Sequence, residues 1–574
     1  MKVSIIIPAF NAVESIGRCI GSVQRQDETD WECIVIDDAS TDGTAALVAE
    51  MAGEDKRIRL LRNDTNRGVS FSRNRGLDAA RGELISFLDS DDDLESDFLS
   101  YCLETMNRQG VDWVKSFLRA HRPDGSMADW GFTPASRKVR GRSFREAFAD
   151  PKHDFGHVTG SLIRKSVLDG TRFTTGLSMG EDMLFSMELL CRNTPIYVSE
   201  RRFYNYRRRI DGHSLSINGY KNKQDVILLM NSARRMLDRY AIPEEMHQRL
   251  LRYLDLSVQR HYRKDRTDIV ICYVDGGDPQ WQADYRRVAL RTGVPSGEDG
   301  HFGARYANSG TLKYVLRSIE RHFPDIHDKG GLIHLLVSSD SQVPDWMDRN
   351  RINIVRHKDV IPWKFLPIFN SSSIELFLHH IPGLAERFVY FNDDMFVFSA
   401  VREKDLFVDG KPRVRFIRSA IHPESKDAAW LHSFTNAFAL GISPRAFRAK
   451  EVYFHPPHIA LPMSKSACKA CWDAHKSALL RSITPFRDRR NVNQYVFPAY
   501  GLVHGGYSPK MTVRDGYTND AATDLIRKLD RMLAEGVQLA CINGVADATD
   551  RNRQAVRKWL ERQFPTPSIY EKEG

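Results

Sequence analysis

Short hydrophobic runs that stop abruptly in carboxylates recur along this chain, and they constrain it to a parallel α/β architecture. Residues 3–8, 31–38, 58–63 and 83–89 read as buried strands, and residues 12–26, 44–51 and 70–80 between them carry helical periodicity. Strands separated by helices of this length form right-handed crossovers and a parallel sheet, with ligands bound outside the carboxyl ends of the strands. The pattern lapses over residues 221–266, which become helical and charge-rich at 225–240 and 244–260. It restarts at Thr267 with strands at 268–275, 332–338 and 388–392 and helices at 311–322 and 373–380. A chain of 574 residues also exceeds what one core holds. The expectation is an α/β protein of two domains, 1–220 and 267–574, each a mostly parallel sheet flanked by helices and joined by a helical connector over 221–266.

Composition removes several classes. A hydrophobic content of 42% and a charged content of 27% are those of a globular protein, and no run approaches the ~18 apolar residues of a membrane span. The first residues read as a strand entering a turn, too quickly polar for a signal peptide. Eight scattered cysteines fit reduced thiols in the cytoplasm rather than a disulfide framework. The net charge of +9 suits nucleic acid, anionic lipid or a polyanionic substrate. The basic clusters Arg201-Arg202 and Arg207-Arg208-Arg209 adjoin chemistry-bearing segments and do not form a recognition helix. A polyanionic substrate and peripheral contact with the cytoplasmic membrane face therefore rank above nucleic acid.

The N-terminal strands end in Pro8-Ala9-Phe10-Asn11, in Asp37-Asp38 followed by Asp42, and in Asp89-Ser90-Asp91, with Arg73-Asn74 at a helix entry between the last two. All fall at strand C-termini or on the next helix, so the fold gathers them in one crevice. Paired carboxylates suit Mg²⁺ or Mn²⁺ on a diphosphate, and Asp182 in Gly180-Glu181-Asp182 suits a base for an acceptor hydroxyl. Each aspartate, taken alone, also reads as a helix cap.

With these motifs in this order, residues 1 to about 215 resemble an inverting family 2 glycosyltransferase of the GT-A, Rossmann-like fold. The resemblance implies that Asp38 contacts the nucleotide, with Pro8, Asn11, Asp42, Arg73 and Asn74 around the nucleotide-sugar. It implies that Asp89 and Asp91 bind the metal and that Asp182 deprotonates the acceptor. The run Tyr204-Asn205-Tyr206-Arg207-Arg208-Arg209, followed by His213-Ser214, matches the segment that closes over the donor diphosphate.

The C-terminal half has its own acidic strand end, Phe391-Asn392-Asp393-Asp394, and the turn Phe454-His455-Pro456-Pro457-His458. Imidazole serves as base, metal ligand or phosphate donor, though two loop histidines can also be incidental. Arg481, Arg487, Arg489 and Arg490 suit a phosphate or, equally, a solvated surface. Cys468-x-x-Cys471 with His475 lacks a second pair at zinc spacing and reads as incidental thiols on a helix.

Residues 267–574 resemble the Stealth family of sugar-1-phosphate transferases, which includes bacterial capsule polymerases. One block is matched by 268–281. A longer one runs from Arg305 through Arg317, Asn370 and Asp393-Asp394. The His455/His458 turn with Arg489 matches a third, and Cys541-Ile542-Asn543 a fourth. The resemblance implies a metal on Asp393 and Asp394, and donor binding by Arg305, Asn308, Arg317, Asn370 and His458. Asn308 stands where the family carries a catalytic aspartate, which moves the base role to His455 or Asp275, with Arg489 stabilising phosphoryl charge. Gly544 replaces a second family aspartate, with Asp547 nearby.

Together the two resemblances imply a bifunctional cell-surface polysaccharide synthase. One head would transfer a sugar from a nucleotide-sugar. The other would transfer sugar-1-phosphate from a UDP-sugar to a lipid-linked or oligosaccharide acceptor. The alternatives are one active head with the other positioning the acceptor, or a glycan-binding scaffold.

Overall fold

The computed structural model describes residues 2–122, 124–130, 137–139, 156–207, 219–294, 306, 308–441, 452–545 and 548–573. The chain divides into two compact units, Met1–Tyr262 and Arg263–Gly574.

The first unit contains β1 (Val3–Ala9), β2 (Trp31–Asp37), β3 (Ile58–Arg62), β4 (Leu84–Phe87), β5 (Asp93–Leu94), β6 (Trp113–His121), β7 (Met127–Trp130), β8 (Arg137–Val139), β9 (Ser161–Arg164) and β10 (Ile196–Arg207). They form one sheet in the order β3-β2-β1-β4-β9-β6-β10-β5, with β7 beside β6 and β8 beside β10. The first four strands are parallel, β9 is antiparallel to both neighbours, and β6 and β10 are again parallel. Every residue of β1 and β2 is buried, as expected where helices cover both faces of a parallel sheet.

One glycine sets how closely a helix lies on that sheet. A Cβ on Gly76, in the helix Val69–Ala79, would stand 2.3 Å from Ile6 Cγ2 and 3.0 Å from Ile36 Cδ1. The close approach fixes the N-terminal turn of this helix, with Arg73, at the carboxyl edge of β1 and β4. The helices Lys223–Arg239 and Glu244–His261, expected as a connector, are part of the first unit. The Tyr240 hydroxyl donates to Glu188 at 2.9 Å, tying them to the helix Glu181–Cys191.

The second unit contains β11 (Thr267–Cys272), β12 (Ile333–Val337), β13 (Asn353–Arg356), β14 (Arg387–Asn392), β15 (Met395–Val397), the short pair β16 (Phe407–Val408) and β17 (Lys411–Pro412), β18 (Ile417–Ala420), β19 (Val452–His455), β20 (Leu461–Ser464), β21 (Asp515–Asn519) and β22 (Leu539–Asn543). Its main sheet runs β13-β12-β11-β14-β20, parallel except for β20. A second sheet runs β15-β22-β21, and β18 pairs antiparallel with β19. Asp268, fully buried, accepts from Arg266 Nε at 3.1 Å, Leu332 N at 2.9 Å and Ala385 N at 2.7 Å, with His334 Nε2 at 3.1 Å. Burial raises its pKa, but these partners more than offset that and hold it below the usual range. This knot secures the amino ends of β11, β12 and β14, so their carboxyl ends are held in register opposite.

Residues 373–380, expected as one helix, split into the turn Ser371–Ile374 and the 3-10 segment Glu375–His380. The segment buries Glu375 beside β14, where the Tyr390 hydroxyl donates to it at 2.6 Å. Helical periodicity records an apolar face but not a buried acid that finds its partner on another strand.

Gly76→Ala should lower unfolding stability by about 1–3 kcal/mol, the usual range for overpacking a filled core. Urea unfolding followed by circular dichroism reads this directly, and a Gly21→Ala control, whose added Cβ meets only an arginine tip at 3.2 Å, should cost less.

Candidate active sites

In the first unit a single guanidinium organises the crevice. Arg73, 3% exposed, donates through one terminal nitrogen to Glu181 Oε1 at 2.9 Å and Asp182 Oδ1 at 2.7 Å, and through the other to Asp89 Oδ1 at 2.8 Å. Its Cζ lies 5.2 Å from the Phe173 ring centroid, and Phe173 stacks on Phe185 at 4.1 Å. Burial opposes the charge, but the three carboxylates dominate and hold Arg73 protonated. Gly180 caps the helix Glu181–Cys191 at φ 89°, a left-handed turn that a Cβ disfavours, and so presents Glu181 and Asp182 to Arg73. Asp89 and Asp182, the expected metal ligand and base, therefore share one buried cation.

Past β4, the acidic run is divided by partner. Asp92 accepts from the Tyr204 hydroxyl at 2.6 Å and from Arg207 N at 2.8 Å, and burial with Asp91 and Asp89 nearby pushes its carboxyl well up. Asp93 pairs with Arg207 Nε and accepts from Asn205 at 3.0 Å. Asp89 remains 34% exposed and Asp91 half-buried, the two that face outward. Arg207, expected over the diphosphate, is held on Asp93. Arg208, Arg209 and His213 lie outside the described residues.

Other expected nucleotide contacts are engaged within the protein. Asp38 is buried and accepts from Asn63 Nδ2 at 2.6 Å, Gly68 N at 2.7 Å and Arg67 N at 2.9 Å, bracing the turn before the Arg73 helix. Asn74 bonds both ways to the Phe173 backbone at 2.9 Å, which holds the ring under Arg73. Asp42 accepts from Val13 N at 3.0 Å, and Asn11, at φ 48°, accepts from Thr41 N at 2.9 Å. Pro8 is buried within β1. These residues shape the crevice wall.

In the second unit the carboxyl end of β14 carries Asp393 and Asp394. Burial and the neighbouring Asp394 push Asp393 up to about 7, and burial raises Asp394 although His458 pulls it down. Asp394 Oδ1 is buried with no hydrogen-bond partner. Asp394, His458 and Cys541 bring one ligand atom each within 4.8 Å of one another. An orphaned carboxylate oxygen beside an imidazole and a second carboxylate fits a divalent cation. Burial pushes the Cys541 thiol well up.

His455 sits on the same turn as His458. Its Nδ1 lies 2.8 Å from the Pro456 carbonyl and its Nε2 2.9 Å from Ser419 Oγ. The carbonyl requires a proton on Nδ1, which leaves Nε2 as the acceptor. Burial lowers its pKa, with Pro456 opposing and His458 assisting. Asp275 and Asn308 meet, the amide donating to Asp275 Oδ2 at 2.8 Å, while Gly277 N donates to Oδ1 at 2.8 Å.

Three further expectations are placed elsewhere. Arg317 makes a bidentate pair with Glu571 at 2.8 Å and donates to the Phe564 carbonyl at 2.9 Å, anchoring the C-terminal segment. Asn370, 1% exposed, donates to Asn491 Oδ1 at 2.9 Å and Ser373 Oγ at 3.0 Å, locking the 484–491 loop. Arg489 is 63% exposed and pairs with Asp427 at 3.1 Å. Arg305 and Asp547 lie outside the described residues. Cys468 and Cys471 are core thiols, and among the described residues they join no metal-ligand group.

Sequence reasoning missed Glu375, Asp520 and the Arg487 connection. Burial pushes Glu375 up to about 7, and the charge of Arg487 opposes this. Asp520 is buried, accepts from Val545 N at 2.8 Å and acts on Asp394 through its charge. Single acids in separate segments carry no pattern; only the fold gathers them.

Residues 4–171 match the family model for glycosyl transferase family 2, and residues 305–414 match Stealth protein CR2, conserved region 2. The N-terminal half thus resembles family 2 glycosyltransferases and the C-terminal half resembles the Stealth family. The chain is a transferase. The capsular polysaccharide phosphotransferase WcwK of Streptococcus pneumoniae is 27% identical over 341 residues, covering 53% of this chain and 98% of that protein. The capsular polysaccharide phosphotransferase eps5J of Streptococcus thermophilus is 36% identical over 161 residues, 28% of this chain and 65% of that protein. The solved structure of S. aureus TarS 1–349 in complex with UDP aligns over 46% of this chain and 74% of that chain at 21% identity, with a TM-score of 0.38. That score is too low to add to the strand order.

Two outcomes follow for this transferase. Arg73→Met should lower stability by about 3–5 kcal/mol, because it leaves buried carboxylates without a countercharge; chemical denaturation measures the loss. Glu375, pushed up to about 7, ionises less readily in the folded state than in the unfolded one. In chelator, stability should therefore fall as pH rises from about 4.5 to about 7, by about 3 kcal/mol, and level off above. Glu375→Gln should remove that share of the slope in urea midpoints measured across the same range, and leave the dependence contributed by Asp393, which is also pushed up to about 7.

Proposed function

We propose that this transferase is a two-headed synthase of a phosphate-containing cell-surface polysaccharide. The observation that carries the reading is the pair of separate acidic strand ends, one in each compact unit, each with its own cationic or imidazole counter-group. The phosphotransferase names of the relatives, which align with 53% and 28% of this chain, support its phosphotransfer part.

In the first head a nucleotide-sugar lies across the carboxyl ends of β1, β2 and β4. Asp89 and Asp91 would hold Mg²⁺ or Mn²⁺, and Asp182 takes the proton of the acceptor hydroxyl. Attack at the sugar carbon expels nucleoside diphosphate. In the second head a UDP-sugar lies over Asp393 and Asp394, which would hold the cation together with His458. Such a cation offsets charge on a pyrophosphate. His455 Nε2 takes the acceptor proton, with Asp275 held by Asn308 as the nearby carboxylate. Attack at the sugar-side phosphorus expels UMP and leaves one phosphate in the product. Arg487, which acts on Glu375, is better placed than Arg489 to meet phosphoryl charge.

The acceptor is a lipid-linked or oligosaccharide chain at the cytoplasmic membrane face, and the net charge of +9 suits the polyanion being made. No helix among the described residues is long and apolar enough to cross a membrane.

Chromatography of the released nucleotides separates the heads. With UDP-sugars and acceptor, Asp91→Ala should lose UDP release while UMP release continues, and Asp393→Ala should do the reverse. Asp182→Asn should lower UDP release by about 10²–10⁴-fold. Loss of both nucleotides in either variant would refute the two-headed reading.

A further inference from the structure

Beside the β18–β19 pair the second unit carries a ledge of aromatic rings that leads to His455. Trp430, on the helix Ala429–Gly441, is 39% exposed. Its ring lies 6.2 Å from Phe434 one turn along and 6.0 Å from Tyr453 on β19. Tyr453 stacks on His455 at 5.1 Å, and Phe434 meets His455 edge-on at 5.8 Å. Phe434 also stacks on Tyr495 at 5.1 Å, and Tyr495 responds to the charges of Glu375 and Asp394.

Trp430, Phe434, Tyr453 and His455 are all partly open to solvent, unlike the rings of the core. Partly exposed aromatic groups gathered in one place mark recognition surfaces more often than packing. The polar rim is charged: Arg489, 63% exposed, pairs with Asp427 three residues before Trp430. The ledge thus starts at solvent, passes a basic rim and ends at His455, next to the orphaned oxygen of Asp394 through His458.

We propose that this ledge is the acceptor subsite of the second head, taking the pyranose rings of a phosphodiester-bearing glycan. The apolar C–H face of a pyranose lies on the flat Trp430 ring, whose negative face attracts its polarised C–H groups, while the Tyr453 ring, turned 70° from it, borders the sugar. The glycan phosphate meets Arg489 at the rim, which accounts for an exposed arginine beside the site but away from Asp393. The terminal hydroxyl is then delivered toward His455 Nε2. The inference rests on reading the second unit as a phosphotransferase.

The test uses the full chain and phosphodiester-containing capsular polysaccharides immobilised on a biosensor, alongside UMP release from UDP-N-acetylglucosamine. Trp430→Ala should weaken glycan binding about tenfold, the loss of one stacking face. Trp430→Phe should restore most of it, and the KM for the UDP-sugar should not move in either. Tyr453→Ala provides a second variant on the same ledge and should weaken glycan binding in the same direction. Unchanged glycan binding in both alanine variants would overturn the subsite, as would no binding of any such glycan by the unaltered protein. Absence of UMP release from the unaltered protein, with Trp430-dependent glycan binding intact, would instead overturn the phosphotransferase reading and leave the glycan ledge standing.

Discussion

Burying several carboxylates at one sheet edge costs several kcal/mol per ion unless a countercharge is held close, and the two units meet this cost differently. The first builds the countercharge into the chain. Arg73 reaches Asp89, Glu181 and Asp182 from a helix that Gly76 allows to lie directly on β1. Asp89 and Asp182 are thereby fixed relative to each other before any ligand arrives. The second unit matches its charge less closely. Asp393 and Glu375 are pushed up to about 7 although His458 and Arg487 act on Asp394 and Glu375, and Asp394 keeps a buried oxygen without a hydrogen-bond partner. A site of that kind prefers protonation or a bound cation, whereas in the first a built-in guanidinium offsets part of the charge of three carboxylates.

The difference extends to the surrounding residues. In the first unit Asp38, Asn74 and Arg207 are engaged in bracing the loops that define the crevice. Residues of this type at strand ends look like ligand contacts in a sequence. Here they determine where the few outward-facing groups, Asp89 and Asp91, can stand. In the second unit Asn308 donates to Asp275, an amide–carboxylate pair that holds the carboxylate without the repulsion of a second acid.

How much of this was legible follows from range. The strand runs at 3–8, 31–38 and 388–392 and the helices between them follow local patterns of apolar residues, and the structure forms strands and helices there. The acidic strand ends were visible for the same reason, since each is written within a few consecutive residues. Arg317 and Asn370 matched family motifs yet are bonded to Glu571 and Asn491, both more than a hundred residues away. A motif gives a residue's type and position, but not which distant group reaches it first.

The sequence by itself determined a parallel α/β chain in two parts with an acidic strand end in each, because hydrophobic period and strand-terminal carboxylates are local properties of the chain. Only the tertiary structure decided which charges meet: that Arg73 serves three carboxylates, that Asp520 acts on Asp394 and Asp394 on Glu375, and that Arg489 pairs with Asp427 while Arg487 acts on Glu375. Electrostatic partners are chosen by distance and burial, and both exist only after strands remote in sequence have been laid side by side.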